Sequence, residues 1–350
     1  MTTGADRWEP VAARLQQAEQ EGAFSGTVLV TVGERTEFEA CHGLADRAAG
    51  TPVHPGTRFA VASMCKMFTA VAVLDAVRRG EVNLDAAVAD VLPADRRPST
   101  LRPDVTVHHL LTHTSGIADY AEEEEDLPFH VADYAELWQD LPCYRIERVA
   151  DFLPIFVDRP PIGPPGEVFR YSNAGYLLLG LVVEEVTGGV FNDVVTERVL
   201  VPCGMAESGY LRMDEVHPDV ATGYLRPDRP DGAWRSNIYS VPVVGGPDGG
   251  ALATAADIDR FLRALEQGAV VGPELRDLMM TPHVPAGNGE SMGYGLYLGE
   301  DGWFGHDGGD PGVEAMAQRL PHLDTTVVVL CNVEGSLEVA WHLVWDMARG

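Results

Sequence analysis

The sequence predicts an α+β fold: an antiparallel sheet flanked by helices from both termini, with a mostly helical lobe inserted between them. Three observations carry that expectation. Strand-like runs cluster at the two ends of the 350-residue chain, proline and glycine break the middle into helical pieces, and no internal repeat is visible. A sheet lobe is therefore expected from 1–80 plus 251–350 and a helical lobe from 81–250, with the active site between them.

Each element has its own signal. Trp8, Val11, Leu15 and Ala18 share one face of a helix ending near Glu21. Gly26 to Val32 is apolar and β-branched, and Glu34-Arg35 turns the chain into a second strand, Thr36 to Cys41. Arg58 to Ala62 reads as a short strand leading into an almost wholly apolar helix, Met64 to Arg79, stopped by Gly80. In the middle, Val105 to Leu111, Glu147 to Phe156, Ala174 to Val186 and Val190 to Leu200 read as helices. Pro160 to Gly166 is a stiff connector, and the acidic run Glu122 to Asp126 reads as a solvated loop. Thr254 caps a helix ending near Gln267. Met292 to Leu298, Gly302 to His306, Val313 to Leu320 and Thr325 to Asn332 read as strands, and Leu337 to Ala348 as a closing helix.

Composition narrows the function. With 25 basic against 53 acidic residues the net charge is −28, which opposes binding to nucleic acid or to anionic membranes. No run approaches the roughly 20 apolar residues of a membrane span, and residues 1–22 lack an apolar signal core. Five scattered cysteines fit reduced thiols, so a cytoplasmic protein is expected.

Lysine occurs once, at Lys66, while arginine supplies every other basic side chain. Arginine cannot give up its proton in a protein, whereas a desolvated lysine can act as a base. Lys66 stands three residues after Ser63, which puts both on one face of the helix that begins there. A serine hydroxyl needs such a base to become a nucleophile. The helix N-terminus, the apolar neighbours Met64, Met67 and Phe68, and burial all push the Lys66 amine toward its neutral form. The plain alternative is a surface lysine at a helix start. Cys65, between the two, reads as a small core residue.

Two further groups suit the same chemistry. Tyr171 and Asn173 follow the proline-rich connector at a helix start, where a phenol can relay a proton and an amide can hold a substrate. Alternatively, Ser172-Asn173 only caps the helix and Tyr171 is packing. His306, Gly308 and Gly309 end a strand, where glycines admit a substrate carbonyl to backbone N–H groups. Asp307-Gly308 can equally mark a hairpin turn. His108, His109 and His113 lack a carboxylate placed for a metal site, and no metal or other cofactor is expected.

Taken in order, Ser63-x-x-Lys66, Tyr171-x-Asn173 and His306-x-Gly308 resemble the motifs of the penicillin-recognising serine hydrolases. The similarity is to the branch of class C β-lactamases, D-Ala-D-Ala carboxypeptidases and family VIII esterases. Leu110-Leu111-Thr112-His113-Thr114-Ser115-Gly116-Ile117 and Gly249-Gly250-Ala251-Leu252-Ala253-Thr254 match as well. The resemblance implies a β-lactamase/transpeptidase-like fold in which Ser63 is acylated. It also implies that Lys66 and Tyr171 move protons, Asn173 positions substrate, His306 lines the pocket, and the N–H groups of Ser63 and Gly309 form an oxyanion hole.

The third motif departs from the lactamase pattern, because histidine and aspartate replace a permanent cation and a hydroxyl. An anionic substrate is disfavoured if Asp307 faces the pocket, and strand alternation leaves its direction open. The expected function is hydrolysis of a small ester, amide or D-amino-acid-containing substrate. The alternatives are acyl transfer to an amine or alcohol, a β-lactamase, and a non-catalytic binder. No oligomeric state follows from the sequence.

Overall fold

Eight strands build one sheet. In chain order they are β1 (Gly26–Val32), β2 (Arg35–His42), β3 (Val284–Gly287), β4 (Glu290–Met292), β5 (Tyr297–Leu298), β6 (Phe304–Asp310), β7 (Val313–Leu320) and β8 (Thr325–Cys331). The computed structural model describes residues 4–122, 125, 127–131, 134–227, 229 and 232–349. The spatial order is β2-β1-β8-β7-β6-β5-β4-β3, with every neighbouring pair antiparallel. The two ends of the sequence meet at the β1–β8 pair, where Gly26 faces Cys331 and Val32 faces Thr325.

All seven residues of β8 are buried, because helices cover both faces of the sheet. Val327, Val329 and Cys331 pack with Trp8 and Leu15 of α1 (Gly4–Gln20) and with Val344 of the closing helix, Ser336–Arg349. Val328 and Leu330 point the other way, into the core that holds α2 (Lys66–Arg78), α3 (Asn173–Thr187) and α4 (Ala255–Glu266). Each such aliphatic side chain contributes about 1.5–3 kcal/mol by leaving water. Phe68 on α2 meets Phe261 on α4 edge to face, their centroids 4.8 Å apart. The same apolar cluster includes Leu177 and Phe191, so residues from the middle of the chain share one core with those from its ends. This is the expected α+β architecture, an antiparallel sheet flanked by helices from both termini.

Several local expectations need correction. Met292 to Leu298 is not one strand: β4 and β5 form a hairpin, with Met292 opposite Tyr297. The turn buries Tyr294 and Leu296, so an apolar run that looks like a strand is a turn pressed into the core. Glu147 to Phe156 yields a 3₁₀ helix, Val149–Ile155, which Pro154 keeps from settling into a regular α-helix. The helix Pro273–Met279 and the edge strand β3 carry too little apolar periodicity to be read from sequence. Within the acidic run, Glu122 is buried, while Glu123, Glu124 and Asp126 lie outside the described residues. Among the described residues no single helix is long and apolar enough to cross a membrane.

Candidate active site

Ser63 stands in a tight turn between a two-residue strand and α2. Phe59–Ala60 pairs with Leu252–Ala253, and Val61 N–H donates to the Ala251 carbonyl at 2.9 Å. The next residue, Ala62, has φ +44°, a left-handed conformation that costs a residue with a side chain. A 3₁₀ turn, Ala62–Cys65, then runs directly into α2. That sequence of bends places the Ser63 hydroxyl at the head of the helix.

Lys66, the first residue of α2, is fully buried. Its Nζ lies 3.0 Å from Ser63 Oγ, 2.7 Å from Asn173 Oδ1 and 2.7 Å from the Asp248 carbonyl oxygen. The last two atoms can only accept, so they occupy two N–H bonds of the amine. If the amine is neutral, its lone pair is the group left to meet the serine proton.

Asn173 opens α3, whose N-terminus Ser172 caps by accepting the Gly175 N–H at 3.0 Å. The Asn173 amide is oriented by Asp119, whose carboxylate accepts Asn173 Nδ2–H at 2.9 Å and Ala174 N–H at 2.7 Å. Burial pushes the Asp119 carboxyl up to about 6, against the pull of those N–H donors and of Lys66.

Tyr171 packs beside this centre, its ring centroid 4.8 Å from Lys66 Nζ. It stacks on His113 at 4.5 Å and 22°, and His113 stacks on Tyr176 at 4.9 Å. His113 Nδ1 accepts the Ser172 N–H at 2.9 Å, so the neutral ring carries its proton on Nε2. Burial holds His113 well below the usual histidine range. The imidazole is thus an aromatic shelf for Tyr171. His108 bonds the Tyr294 hydroxyl at 2.8 Å, and His109 Nδ1 accepts the Thr106 N–H at 3.1 Å. Among the described residues no histidine, cysteine and carboxylate group is arranged to hold a metal.

The strand β6 continues through His306-Asp307-Gly308-Gly309, so this stretch is no hairpin turn. Strand alternation sends Asp307 outward, its side chain 56% exposed, into a groove with Glu290, Glu314 and Glu338. Asp307 therefore does not face the nucleophile. His306 is only 2% exposed and sits between Tyr171 and Tyr297, with ring centroids 6.3 and 5.2 Å away. Burial lowers it to about 4, partly opposed by Asp307, so the ring is neutral near pH 7. Gly308 presses on the nucleophile turn, where a Cβ would come within 2.3 Å of the Val61 carbonyl oxygen and 2.9 Å of Ser63 N. Glycine is required there. Gly309 faces open space.

The glycine-rich segment Gly245–Gly250 crosses the same turn, with Gly249 against Ala62. It is pinned rather than loose. Thr69 Oγ1–H donates to the Pro247 carbonyl at 2.6 Å, and Lys66 bonds the next carbonyl. Beside it opens a cavity of about 310 Å³ that reaches Ser63, Asn173, Asp248 and Asp310. Cys65 points elsewhere: it is buried, its sulfur accepts the Ala251 N–H at 3.0 Å, and burial pushes its thiol up to about 12.

The geometry thus gathers Ser63, Lys66 and Asn173 in direct contact, Tyr171 beside them, and Gly308 against their turn. Sequence reasoning missed Asp119, Asp248 and Asp310. The first two are distant in sequence from the Ser63, Tyr171 and His306 motifs, but Asp310 lies one residue beyond the glycine pair. Alternation along β6 puts it on the side of His306 and Gly308.

The sequence model of the β-lactamase family matches residues 11–348. The chain belongs to the β-lactamase family. As a member it is a serine hydrolase of the β-lactamase-like superfamily, and its relatives are varied. It is 28% identical over 341 residues to Penicillin-binding protein 4 of Amycolatopsis lactamdurans, covering 91% of this chain and 84% of that protein. It is 35% identical over 212 residues to Esterase EstB of Burkholderia gladioli, covering 57% of this chain and 52% of that one. The solved structure of a penicillin binding protein from Bacillus halodurans superposes with TM-score 0.86 at 39% identity, over 95% of this chain and 99% of that chain.

Proposed function

We propose that this β-lactamase-family member hydrolyses esters or amides through an acyl-enzyme on Ser63, with Lys66 as the base. The observation that carries the reading is the Lys66 amine, buried and held by two pure acceptors, with Ser63 Oγ 3.0 Å away. In the first step the Ser63 proton passes to Nζ while Oγ bonds to the substrate carbonyl carbon. The carbonyl oxygen takes the negative charge and is received by the N–H groups of Ser63 and Gly309. Collapse breaks the bond to the leaving group, which takes a proton from the Tyr171 phenol, and water then releases the acid by the reverse route.

His306 favours ester and amide substrates over carboxylate-bearing lactams. It stands where the lactamases of the family carry lysine, and a neutral, buried imidazole offers an anionic substrate no charge. The resemblance to Esterase EstB supports the same reading. The test is turnover of nitrophenyl esters, amino-acid amides and a chromogenic β-lactam, read alongside intact mass. The expected result is an acyl adduct on the wild type and none on Ser63→Ala. Ester turnover that survives Ser63→Ala would refute the reading.

A further inference from the structure

Three carboxyls surround Lys66, and two of them are already engaged. Asp119 accepts three N–H bonds, from Asn173, Ala174 and Tyr120. Asp248 accepts the Tyr120 hydroxyl. Asp310 differs: it lines the cavity that contains Ser63, and among the described residues its carboxyl has no hydrogen-bond or ion-pair partner. Asp248 lines the same cavity, and its charge hinders ionisation of Asp310.

Lys66 is near enough to favour ionisation of Asp310, but only while its amine is charged, and the neutral amine of the proposed reaction lends Asp310 no charge. Arg212 reaches the cavity, but its guanidinium is bound to Asp214 at 2.8 Å and to Glu147 at 3.3 Å. His217 is directed at Glu215, 3.6 Å away. Lys66 Nζ lies within hydrogen-bond distance of the hydroxyl, the amide oxygen and the carbonyl already described. Much of the remaining wall is apolar, with Trp138, Phe152, Val216, Ile238, Val241 and Leu252, interrupted by the polar Thr222 and Asn237. A cavity with one unpartnered acid, a second acid beside it and apolar walls is complementary to a cation carried on an apolar body.

We propose that Asp310, flanked by Asp248, is the subsite for a primary ammonium group of the substrate. The substrate class is then an ester or amide of a compound that pairs an ammonium with an apolar side group, as α-amino-acid amides and esters do. This deepens the hydrolase reading and rests on it. Burial pushes the Asp310 carboxyl up to about 7, so it pays a desolvation penalty that an ammonium would relieve.

Binding tests the subsite independently of turnover. In the Ser63→Ala background, the dissociation constants of D- and L-phenylalanine amide are measured by calorimetry at pH 8 and compared with their N-acetyl counterparts. The expected result is that at least one free amine binds roughly 30-fold more tightly than its acetylated form, and that Asp310→Asn removes this preference. In the otherwise native enzyme, the ratio of kcat/KM for free over acetylated amide should fall by a similar factor in Asp310→Asn. Equal binding of both forms, or a preference that survives Asp310→Asn, overturns the proposal. Failure of the hydrolase reading would appear separately, as no adduct on wild-type Ser63 with a neutral nitrophenyl ester.

Discussion

The carboxylate of Asp119 holds Asn173 by its Nδ2–H at 2.9 Å, and this contact decides which end of the amide meets Lys66. With the nitrogen committed to Asp119, the oxygen is the atom that accepts from Nζ at 2.7 Å. Asp119→Asn can present an NH₂ to that nitrogen and turn the amide around. We expect kcat for a nitrophenyl ester to drop roughly a hundredfold, the scale of a small misplacement near reacting atoms. KM and the unfolding midpoint should change little. An Asp119→Asn enzyme with wild-type kcat would show that the amide needs no such guide.

Lys66→Arg keeps the charge and removes the base, because guanidinium cannot accept the serine proton. Formation of the acyl-enzyme should slow by roughly 10²–10⁴-fold, the usual share of a positioned base. Stopped-flow burst kinetics with intact mass would measure it. A fast burst in a folded Lys66→Arg protein assigns the base elsewhere.

Gly308 and Gly309 should respond differently to the same added methyl. At Gly308 the methyl collides with the Val61 carbonyl oxygen at 2.3 Å, pushing β6 away from the nucleophile turn. Gly308→Ala should cost about 1–3 kcal/mol of stability and most of the ester turnover. At Gly309 nothing lies within 4 Å, so Gly309→Ala should leave the urea midpoint unchanged. Equal midpoints for the two variants would contradict this close approach.

Acid should weaken the fold through His306. Its pKa is lowered to about 4 by burial, while the unfolded chain takes the proton near the ordinary value of 6.5. Between those values the unfolded state binds more protons. Stability from this group is complete above pH 6.5 and is lost as pH falls toward 4. His306→Gln should flatten that limb in urea titrations at pH 4.5, 5.5 and 7. An unchanged slope would mean the ring titrates normally.

Asp310 has the opposite sign. Raised to about 7 in the fold against 3.8 in the open chain, it favours folding below pH 3.8 and loses that contribution as pH rises through 7. Asp310→Asn removes the loss. Relative to wild type, the variant should gain stability between pH 5 and 8, in the absence of any amine. A gain confined to acid pH would refute the assignment.

Much of this was legible in the chain because the evidence is local. Ser63 and Lys66 are one helical turn apart, and Val313–Leu320 emerges as the strand expected. The two-faced burial of β8 follows from its seven buried residues, chiefly valine and threonine. What stayed hidden depends on contacts distant in sequence. Nothing near Asp119 announces that it will meet Asn173, and nothing in the glycine-rich loop announces that a carbonyl from it will cap Lys66. The hairpin of β4 and β5 was obscured because its turn is itself apolar. Asp310 was within reach: counting every second residue from His306 leads to it.

The left-handed torsion of Ala62 has a consequence for how the nucleophile endures thermal agitation. A glycine would adopt φ +44° with less penalty, but it would also open many neighbouring backbone basins. Alanine narrows those basins, and its methyl is wedged 3.1 Å from where a side chain on Gly308 would begin. The hydroxyl next along the chain therefore keeps its aim through a joint that is costly to form and hard to bend further.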